Sequence, residues 1–493
     1  AAPAHIAALD ARFPNPPAIP PKPQLYGGVL HVATSVKPDM DPIRIRDSEW
    51  YVVWDQLNEW EAQWYFPEVQ GTPTIRTNLA ESWEMVDAST WNFKIKEGVK
   101  FHNIAPVNGR EMTAADVKYS YDLLRGKPGW GGAEVISVDL LDENTVQFHT
   151  RIPLTSFPLI HTNGTTPTIF PKEAVEAEGG LHDNAIGTGA FILKEFVPNE
   201  GVLFERNPNY HLSDADGNQL PYLDGLRYIF ARGSATQVAL FRAGQVDIMR
   251  LSSIDTLEQI LDTNEDTSVY RVPSFGWAGY AIWLPLDQAP YNDKRVRQAL
   301  SMAIDRRVVL EVVNRSDASM YGPFPWALAG FTEFSDYNLS NLGPAFQYNP
   351  EEAKRLLDEA VPGGLKLDLE WGELQGFPFG DFAVLVSKYW EDIGVEVDLK
   401  QLESGTWQSK RRGGADVDNP MLSLVNTGSG PTAWDWVYAP YHSSLPNTIN
   451  RPHVDDPKVD ALLDEWVSAT SDLRFEIQKE LFEYLGGQMY RIH

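Results

Sequence analysis

The residues best suited to hold a small molecule lie in segment 427–436, Thr-Gly-Ser-Gly-Pro-Thr-Ala-Trp-Asp-Trp. A glycine-rich turn there precedes Asp435, which stands between the indoles of Trp434 and Trp436. A carboxylate in such a place can hold a ligand amine through charge-assisted hydrogen bonds, and indoles offer flat apolar faces with a polar edge. The same carboxylate could instead cap a helix over 436–438, and the sequence leaves both interpretations open.

Tryptophan is abundant, with 16 residues, and aromatic residues make up 12% of the chain. Most aromatic side chains of a globular protein belong to its core, and Trp83, Trp91 and Trp390 fall in predicted amphipathic elements. Tryptophans in loops or at element edges are better placed to stack on a sugar ring or to line a pocket for a peptide side chain. Those at such positions are Trp50, Trp277, Trp371, Trp407, Trp434 and Trp436.

The other polar motifs bear on an anion-binding site, a metal site and a phosphate loop. Arg411 and Arg412 precede a Gly-Gly turn, where a guanidinium fork could bind a carboxylate or sugar hydroxyls, although a solvated surface pair is the alternative. The ten histidines show no spacing typical of a metal site. Gly187-Thr188-Gly189 lacks the spacing and the lysine of a phosphate loop, so we interpret it as a turn. We therefore expect no metal and no cofactor.

Composition excludes several classes of function. The net charge of −27 leaves no basic surface for nucleic acid, and the absence of cysteine removes disulfides, thiolate nucleophiles and zinc–sulfur sites. No segment has the roughly 20 consecutive apolar residues that a membrane helix needs. The Gly-x-Ser-x-Gly, His-Glu-x-x-His and Walker motifs of common hydrolases are also absent. A hydrolase that uses paired carboxylates stays as the alternative class to a binding protein.

Capping signals and hydrophobic periodicity predict alternating helices and strands. A chain of 493 residues is too long for one compact core, so we expect α/β layers in two or three domains. The proline-rich residues 1–23 indicate a spacer arm or a disordered terminus. Strands are predicted at 29–33, 91–96 and 395–399, and helices at 113–124, 235–243, 291–313, from 350, at 381–393 and from 456 with a break near Ser471.

Five motifs follow one another along the chain: the block at 79–124, Gly-Thr-Gly at 187–189, Asn-Pro-Asn-Tyr at 207–210, Leu-Phe-Arg-Ala-Gly-Gln-Val-Asp-Ile at 240–248, and Asp-Lys-Arg-Val-Arg-Gln-Ala-Leu at 293–300, continued by Ala-Ile-Asp-Arg at 303–306. The last motif is the most specific. Each is weak alone, but in this order the five resemble the extracellular solute-binding proteins of family 5 over nearly the whole chain.

The resemblance implies an α/β, two-lobed periplasmic-binding-protein fold of type II, in the large cluster C form, with an extra subdomain inserted in lobe I. Projected onto this sequence, it places one hinge crossing at 271–273. The family chain returns to lobe I after lobe II, and the resemblance leads us to expect such a segment beyond His493. The implied domains are the arm at 1–23, lobe I at 24–55 and 186–272, the inserted subdomain at 56–185 and lobe II at 273–493.

The resemblance also implies a function. The implied protein is a receptor in the periplasm or on the outer face of the cytoplasmic membrane, and the sequence does not decide whether it carries a lipid anchor. Such a receptor captures an oligopeptide or an oligosaccharide between its lobes and delivers it to the permease of an ABC importer, without catalysis. We expect a monomer. In peptide-binding members an aspartate of lobe II pairs with the ligand's α-ammonium group, a role that falls to Asp435 although the Asp-Pro or Glu-Pro that commonly follows at short distance is absent here. Ser35 lies in the loop that faces the cleft from lobe I in the family.

Overall fold

The chain divides into two compact units. The first takes Pro16–Leu251 and Asp255–Ser268, and the second is built on Val269–His493. The predicted arm at 1–23 and the hinge crossing at 271–273 lie outside the described residues, and the predicted domain limits stay predictions. The computed structural model describes residues 26–34, 40–43, 52–60, 75–125, 135–151, 153–154, 157–160, 168–214, 216–231, 233–251, 254–264, 266–269, 280–313, 322–323, 342–372, 378–413, 418–424, 438–444, 453–469 and 471–493.

The first unit contains a sheet in the order β1-β10-β9-β8 and another in the order β4-β5-β7-β6. Strand β1 runs parallel to β10, and the other pairings are antiparallel. The strands are β1 (Val29–Thr34), β2 (Asn58–Trp60), β3 (Ile75–Thr77), β4 (Ala80–Asp87), β5 (Thr90–Ile95), β6 (Val135–Leu140), β7 (Thr145–Thr150), β8 (Phe191–Val197), β9 (Gly201–Arg206) and β10 (Gly225–Phe230). The helices are α1 (Ala114–Leu124), α2 (Phe157–Ile160), α3 (Lys172–Glu176), α4 (Gly180–Asp183), α5 (Ser234–Arg242) and α6 (Ile254–Leu261).

The block at 79–124 folds as its pattern predicts. Trp91 and Phe93 of β5 are buried on one face of the sheet, as strand alternation requires. Helix α1 begins with a capping box between Thr113 and Asp116, so the predicted helix start is confirmed. Arg110 then donates to both Asp116 (2.7 Å) and Glu173 (2.6 Å), which ties α1 to α3.

The turn at 187–189 is set by close packing rather than by a ligand. Cβ atoms on Gly187 and Gly189 would lie closer to the main chain of Val53 than van der Waals contact allows. Between them, the hydroxyl of Thr188 donates to the buried carboxylate of Asp55 at 3.0 Å. Only glycine fits at both positions, so the interpretation as a turn is confirmed and its physical reason is the approach of two main-chain segments.

His102 packs against the same turn with a defined tautomer. Its Nδ1 lies 3.4 Å from the amide nitrogen of Gly187, and its Nε2 lies 3.0 Å from the carbonyl oxygen of Gly189. An amide can only donate, so Nδ1 must accept and Nε2 must carry the proton. Burial lowers the pKa of His102 from its ordinary value of 6.5 to about 4, because desolvation penalises the charged ring.

The second unit is organised around a mixed sheet in the order β13-β12-β14-β11-β15. Strand β12 is parallel to β13 and β14, whereas β11 is antiparallel to β14 and β15. The strands are β11 (Tyr280–Trp283), β12 (Lys366–Trp371), β13 (Glu396–Gln401), β14 (Met421–Leu424) and β15 (Arg491–Ile492). The helices are α7 (Lys294–Met302), α8 (Arg306–Val313), α9 (Pro350–Ala360), α10 (Phe379–Asp392), α11 (Ser404–Gly413), α12 (Ala439–Tyr441), α13 (Pro457–Ser468) and α14 (Ser471–Gln488), with a 3-10 turn at Pro344–Phe346.

The prediction of one continuous helix over 291–313 is wrong. Two helices, α7 and α8, occupy this stretch. The carboxylate of Asp305 accepts from the amides of Arg307 (3.0 Å) and Val308 (3.4 Å), so it caps a new helix instead of continuing the old one. The first helix, α7, is capped by Asp293, whose side chain accepts from the amide of Arg295 at 2.8 Å.

The other helix starts and stops follow their sequence signals. Asn349 caps α9 by accepting from the amide of Glu352 at 3.1 Å. Gly394, with a φ of 93°, follows α10, and Asp456 caps α13. The break expected near Ser471 is confirmed, because α13 ends at Ser468 and α14 begins at Ser471.

Two buried arginines of the 293–306 motif hold the C-terminal part of the unit. Arg297, only 5% exposed, donates to the carbonyl oxygens of Tyr291 (2.9 Å), Asn292 (3.0 Å) and Gln488 (3.1 Å). Arg306 donates to the main-chain oxygen of His493 at 2.6 Å. The carbonyl of Gln488 is the last of α14, and carbonyls at the C-terminal end of a helix are natural partners for a cation. The most specific family motif therefore has an architectural role.

We predict that the protonation of His102 destabilises the fold. Its folded pKa lies below its unfolded pKa, so between pH 6.5 and 4 the unfolded chain binds a proton that the folded protein does not. The free energy of unfolding must therefore fall as the pH falls through this window. Between pH 6.5 and 5 the free energy of unfolding of the wild type should fall by about 1.5 kcal/mol more than that of His102→Gln, whose side chain at this position cannot bind a proton in this range. Urea unfolding at both pH values measures the difference, and equal losses in the two proteins would contradict the prediction.

Candidate ligand-binding site

The carboxyl ends of β12, β13 and β14 lie at one edge of the second unit's sheet, because the three strands run parallel. They end at Trp371, Gln401 and Leu424. Tyr280, the first residue of antiparallel β11, pairs with Leu424 at the same edge. Ligands of open α/β sheets bind outside the carboxyl ends of the strands. We call the positions Trp371, Gln401, Leu424 and Tyr280 the strand-end edge.

Most of the predicted ligand contacts belong to chain segments that adjoin this edge in the sequence. Trp371 ends β12, and α11, which follows β13, contains Trp407, Arg411 and Arg412. The segment that contains Asp435 follows β14, and Trp277 comes shortly before β11. In the first unit, Ser35 directly follows β1. The residues Ser35, Trp50, Trp277, Trp434, Asp435 and Trp436, and the side chains of Arg411 and Arg412, lie outside the described part of the chain.

Trp407 is a core residue of the second unit. Its side chain is 0% exposed, and its indole Nε1 donates to the carbonyl oxygen of Leu422 at 3.0 Å. The ring packs 5.6 Å from that of Phe379, and a Cβ on Gly372 would lie 2.5 Å from it. An indole with no exposed surface has none to offer a ligand in this structure. We therefore correct the interpretation of Trp407 and assign it to packing between α11 and the sheet.

Trp371 and Tyr280 are partly exposed at the strand-end edge. The main-chain oxygen of Trp371 accepts from the amide of Leu402 at 2.7 Å, which fixes the end of β12. The ring of Tyr280 lies 5.0 Å from that of Phe382 in α10. Sequence reasoning missed Tyr280, since a tyrosine at the start of a short apolar strand is indistinguishable from a core residue until the strand order is known.

A buried carboxylate positions the elements around this edge. Glu370, whose side chain is 9% exposed, accepts from Nζ of Lys410 (2.8 Å) and from Nδ2 of Asn419 (3.0 Å). These bonds hold α11 and the approach to β14 against β12. Successive side chains of a strand point to opposite faces, so Glu370 and Trp371 point to opposite faces of the sheet. Glu370 therefore supports the edge, and nothing in its sequence pattern had singled it out.

A serine, a histidine and an aspartate of the second unit contact one another, but the two ring nitrogens have the reverse of their roles in a Ser-His-Asp triad. The hydroxyl of Ser444 lies 2.8 Å from Nδ1 of His442, and Nε2 of the ring lies 3.2 Å from Asp464. The amide of Ser444 also donates to the same Nδ1 at 3.1 Å. The imidazole thus caps its own tight turn after α12, and this local contact gives no catalytic assignment. Among the described residues, no group of three or more His, Cys, Asp or Glu side chains could hold a metal ion.

Comparison with known proteins decides the family. Residues 74–447 match the model of the bacterial extracellular solute-binding proteins, family 5 Middle. The chain belongs to this family. The resemblance inferred from the sequence motifs is therefore confirmed. Family 5 members are binding proteins rather than enzymes, and they act outside the cytoplasm. None of the described helices combines the length and the apolarity needed to cross a bilayer.

Relatives and solved structures agree with the family 5 assignment. The periplasmic oligopeptide-binding protein OppA of Salmonella typhimurium is 27% identical over 399 residues, which cover 73% of this chain and 70% of OppA. The periplasmic binding protein DppA from Helicobacter pylori, solved with the peptide STSA, has a TM-score of 0.77 at 22% identity, covering 95% of this chain and 92% of DppA. AgaA from A. tumefaciens R10, solved with agropinic acid, has a TM-score of 0.76 at 20% identity, covering 94% of this chain and 91% of AgaA. These likenesses confirm the predicted two-lobed α/β fold.

We predict opposite consequences for two tryptophans of the second unit. Trp407→Ala should lower the free energy of unfolding by about 3–5 kcal/mol, because it removes a fully buried ring. Trp371→Ala should lower it by less than about 1.5 kcal/mol, because part of the ring already faces water. Urea unfolding monitored by circular dichroism measures both losses. Similar losses for the two variants would show that Trp371 is also a core residue.

Proposed function

We propose that this protein is an extracytoplasmic receptor that captures a peptide-like solute and delivers it to the permease of an ABC importer. The family 5 match across residues 74–447 carries this proposal. It is supported by the peptide bound to DppA and by the name of OppA, which describes an oligopeptide-binding protein. The family resemblance locates the ligand in a cleft between the lobes, and that location is part of the proposal.

The proposed site uses the strand-end edge as the wall that lobe II contributes. Asp435 would bind the ligand's α-ammonium group, and Arg411 with Arg412 would bind a carboxylate. Ser35 would face the ligand from lobe I. The tryptophans Trp50, Trp277, Trp371, Trp434 and Trp436 remain proposed ligand contacts.

A receptor of this kind works through a population shift. The ligand contacts both lobes only in the closed form, so it stabilises that form by the difference between its affinities for the closed and open forms. The permease would then recognise the closed receptor. The ligand leaves chemically unchanged, which separates this function from a carboxylate-dependent hydrolase.

A second candidate cargo is a small organic acid or a sugar derivative. The agropinic acid bound to AgaA, at a TM-score of 0.76, favours this alternative within the same receptor class. Mass spectrometry of the small molecules released from natively purified protein distinguishes a peptide from such a cargo. Candidates found in this way should raise the melting temperature on titration, since a ligand of the native state stabilises it, and should be recovered intact.

We predict that Asp435→Asn weakens the binding of an amine-bearing peptide by about 1.5–3 kcal/mol, the usual value of a hydrogen bond to a charged group. Isothermal titration calorimetry with the best peptide found above measures the loss. Acetylation of the peptide's amino terminus should weaken its binding to the wild type by a similar amount. It should weaken binding to the variant little, because the variant already lacks the carboxylate that binds the amino group.

The control is Asp262→Asn, an exposed aspartate of the first unit, which should bind the free peptide as the wild type does. Unchanged affinity of Asp435→Asn for the free peptide would remove this aspartate from the site.

A further inference from the structure

We propose that Tyr280 and Trp371 form an aromatic platform that gives the receptor a preference for peptides with an aromatic side chain. The inference rests on the proposed function, because it names a feature of the ligand that the receptor would select. It depends on three observations: the partial exposure of both rings, their location at the strand-end edge, and the position of both against the first turn of α10.

The orientation of Tyr280 is set before any ligand arrives. Its ring lies 5.0 Å from that of Phe382 at an angle of 31°, and 5.7 Å from that of Phe379 at 77°. Both phenylalanines are buried in α10. A ring held in this way loses little conformational freedom on binding, and preorganisation of this kind favours affinity.

Trp371 is held against the same helix. Its Nε1 lies 3.9 Å from the position that a Cβ on Gly380 would take, so the indole rests on the first turn of α10. The residue after it, Gly372, leaves room for the buried indole of Trp407. Tyr280 and Trp371 thus both lie against the first turn of α10, at the consecutive residues Phe379 and Gly380.

The two rings themselves favour an aromatic group over a sugar. A sugar bound on an aromatic ring also needs polar side chains for its hydroxyls. The described rings that pack on Tyr280, those of Phe379 and Phe382, are hydrocarbon and offer no hydrogen bond. The nearby carboxylate of Glu370 points to the opposite face and is paired with Lys410. Aromatic rings gain from stacking on one another beyond the area they bury.

The test uses a defined probe. An equimolar pool of synthetic di- to pentapeptides of alanine, with one position varied through all amino acids, is equilibrated with the full chain. Bound peptides are recovered and counted by mass spectrometry. The variants are Tyr280→Ala and Trp371→Ala, with Tyr280→Leu and Trp371→Leu in case the smaller residues impair folding. Tyr348→Ala is the control, because Tyr348 is 48% exposed and packs on Tyr389 away from this edge.

The wild type and the control should enrich peptides with Phe, Tyr or Trp about tenfold over those with Leu, the size expected from stacking on two rings. The platform variants should reduce that enrichment to about twofold or less while still binding peptides. Binding without aromatic enrichment in the wild type, or enrichment that survives in the variants, would overturn the inference alone. Capture of no peptide by the wild type would overturn the proposed function and the inference with it.

Discussion

The direction of three parallel strands is the constraint on which the second unit depends. Because β12, β13 and β14 run the same way, the segments that leave them must start at one edge of the sheet. Helix α11 packs against the sheet through two of its residues. Lys410 binds Glu370 of β12, and the buried indole of Trp407 donates to the carbonyl of Leu422 in β14. The segments that contain the proposed ligand contacts of the second unit, far apart in the chain, adjoin this edge in the sequence. A single topological feature therefore links the core of the unit to its proposed site.

The motifs that carry the family resemblance have mainly architectural roles. Arg297 donates to carbonyl oxygens just before α7 and at the end of α14. Gly187 and Gly189 allow two main-chain segments to come into contact. A buried guanidinium group without its carbonyls, or a side chain at either glycine, would be costly. Such residues therefore describe the scaffold shared by family 5, whereas the residues around a ligand can differ between receptors of different cargo.

The sequence was sufficient where local chemistry decides the structure. The capping box at Thr113 and the proline after Asn349 predict α1 and α9, because these signals act within one turn. The sequence was insufficient where residues far away in the chain decide the local structure. The two-residue strand β15 exists only through its pairing with β11. The burial of Trp407 depends on Phe379 and Gly372, and Tyr280 gains its location from β14. The split between α7 and α8 was missed because an apolar stripe continued across the cap at Asp305.

The central claim is that the solute binds at the strand-end edge of the second unit. Hydrogen–deuterium exchange, measured with and without the peptide that raises the melting temperature most, tests it directly. If the solute binds at this edge, exchange should become slower in 372–378, 402–413 and 425–437, with little change in α13 and α14. Slower exchange in α13 and α14, with no change in the three segments that adjoin the edge, would contradict it.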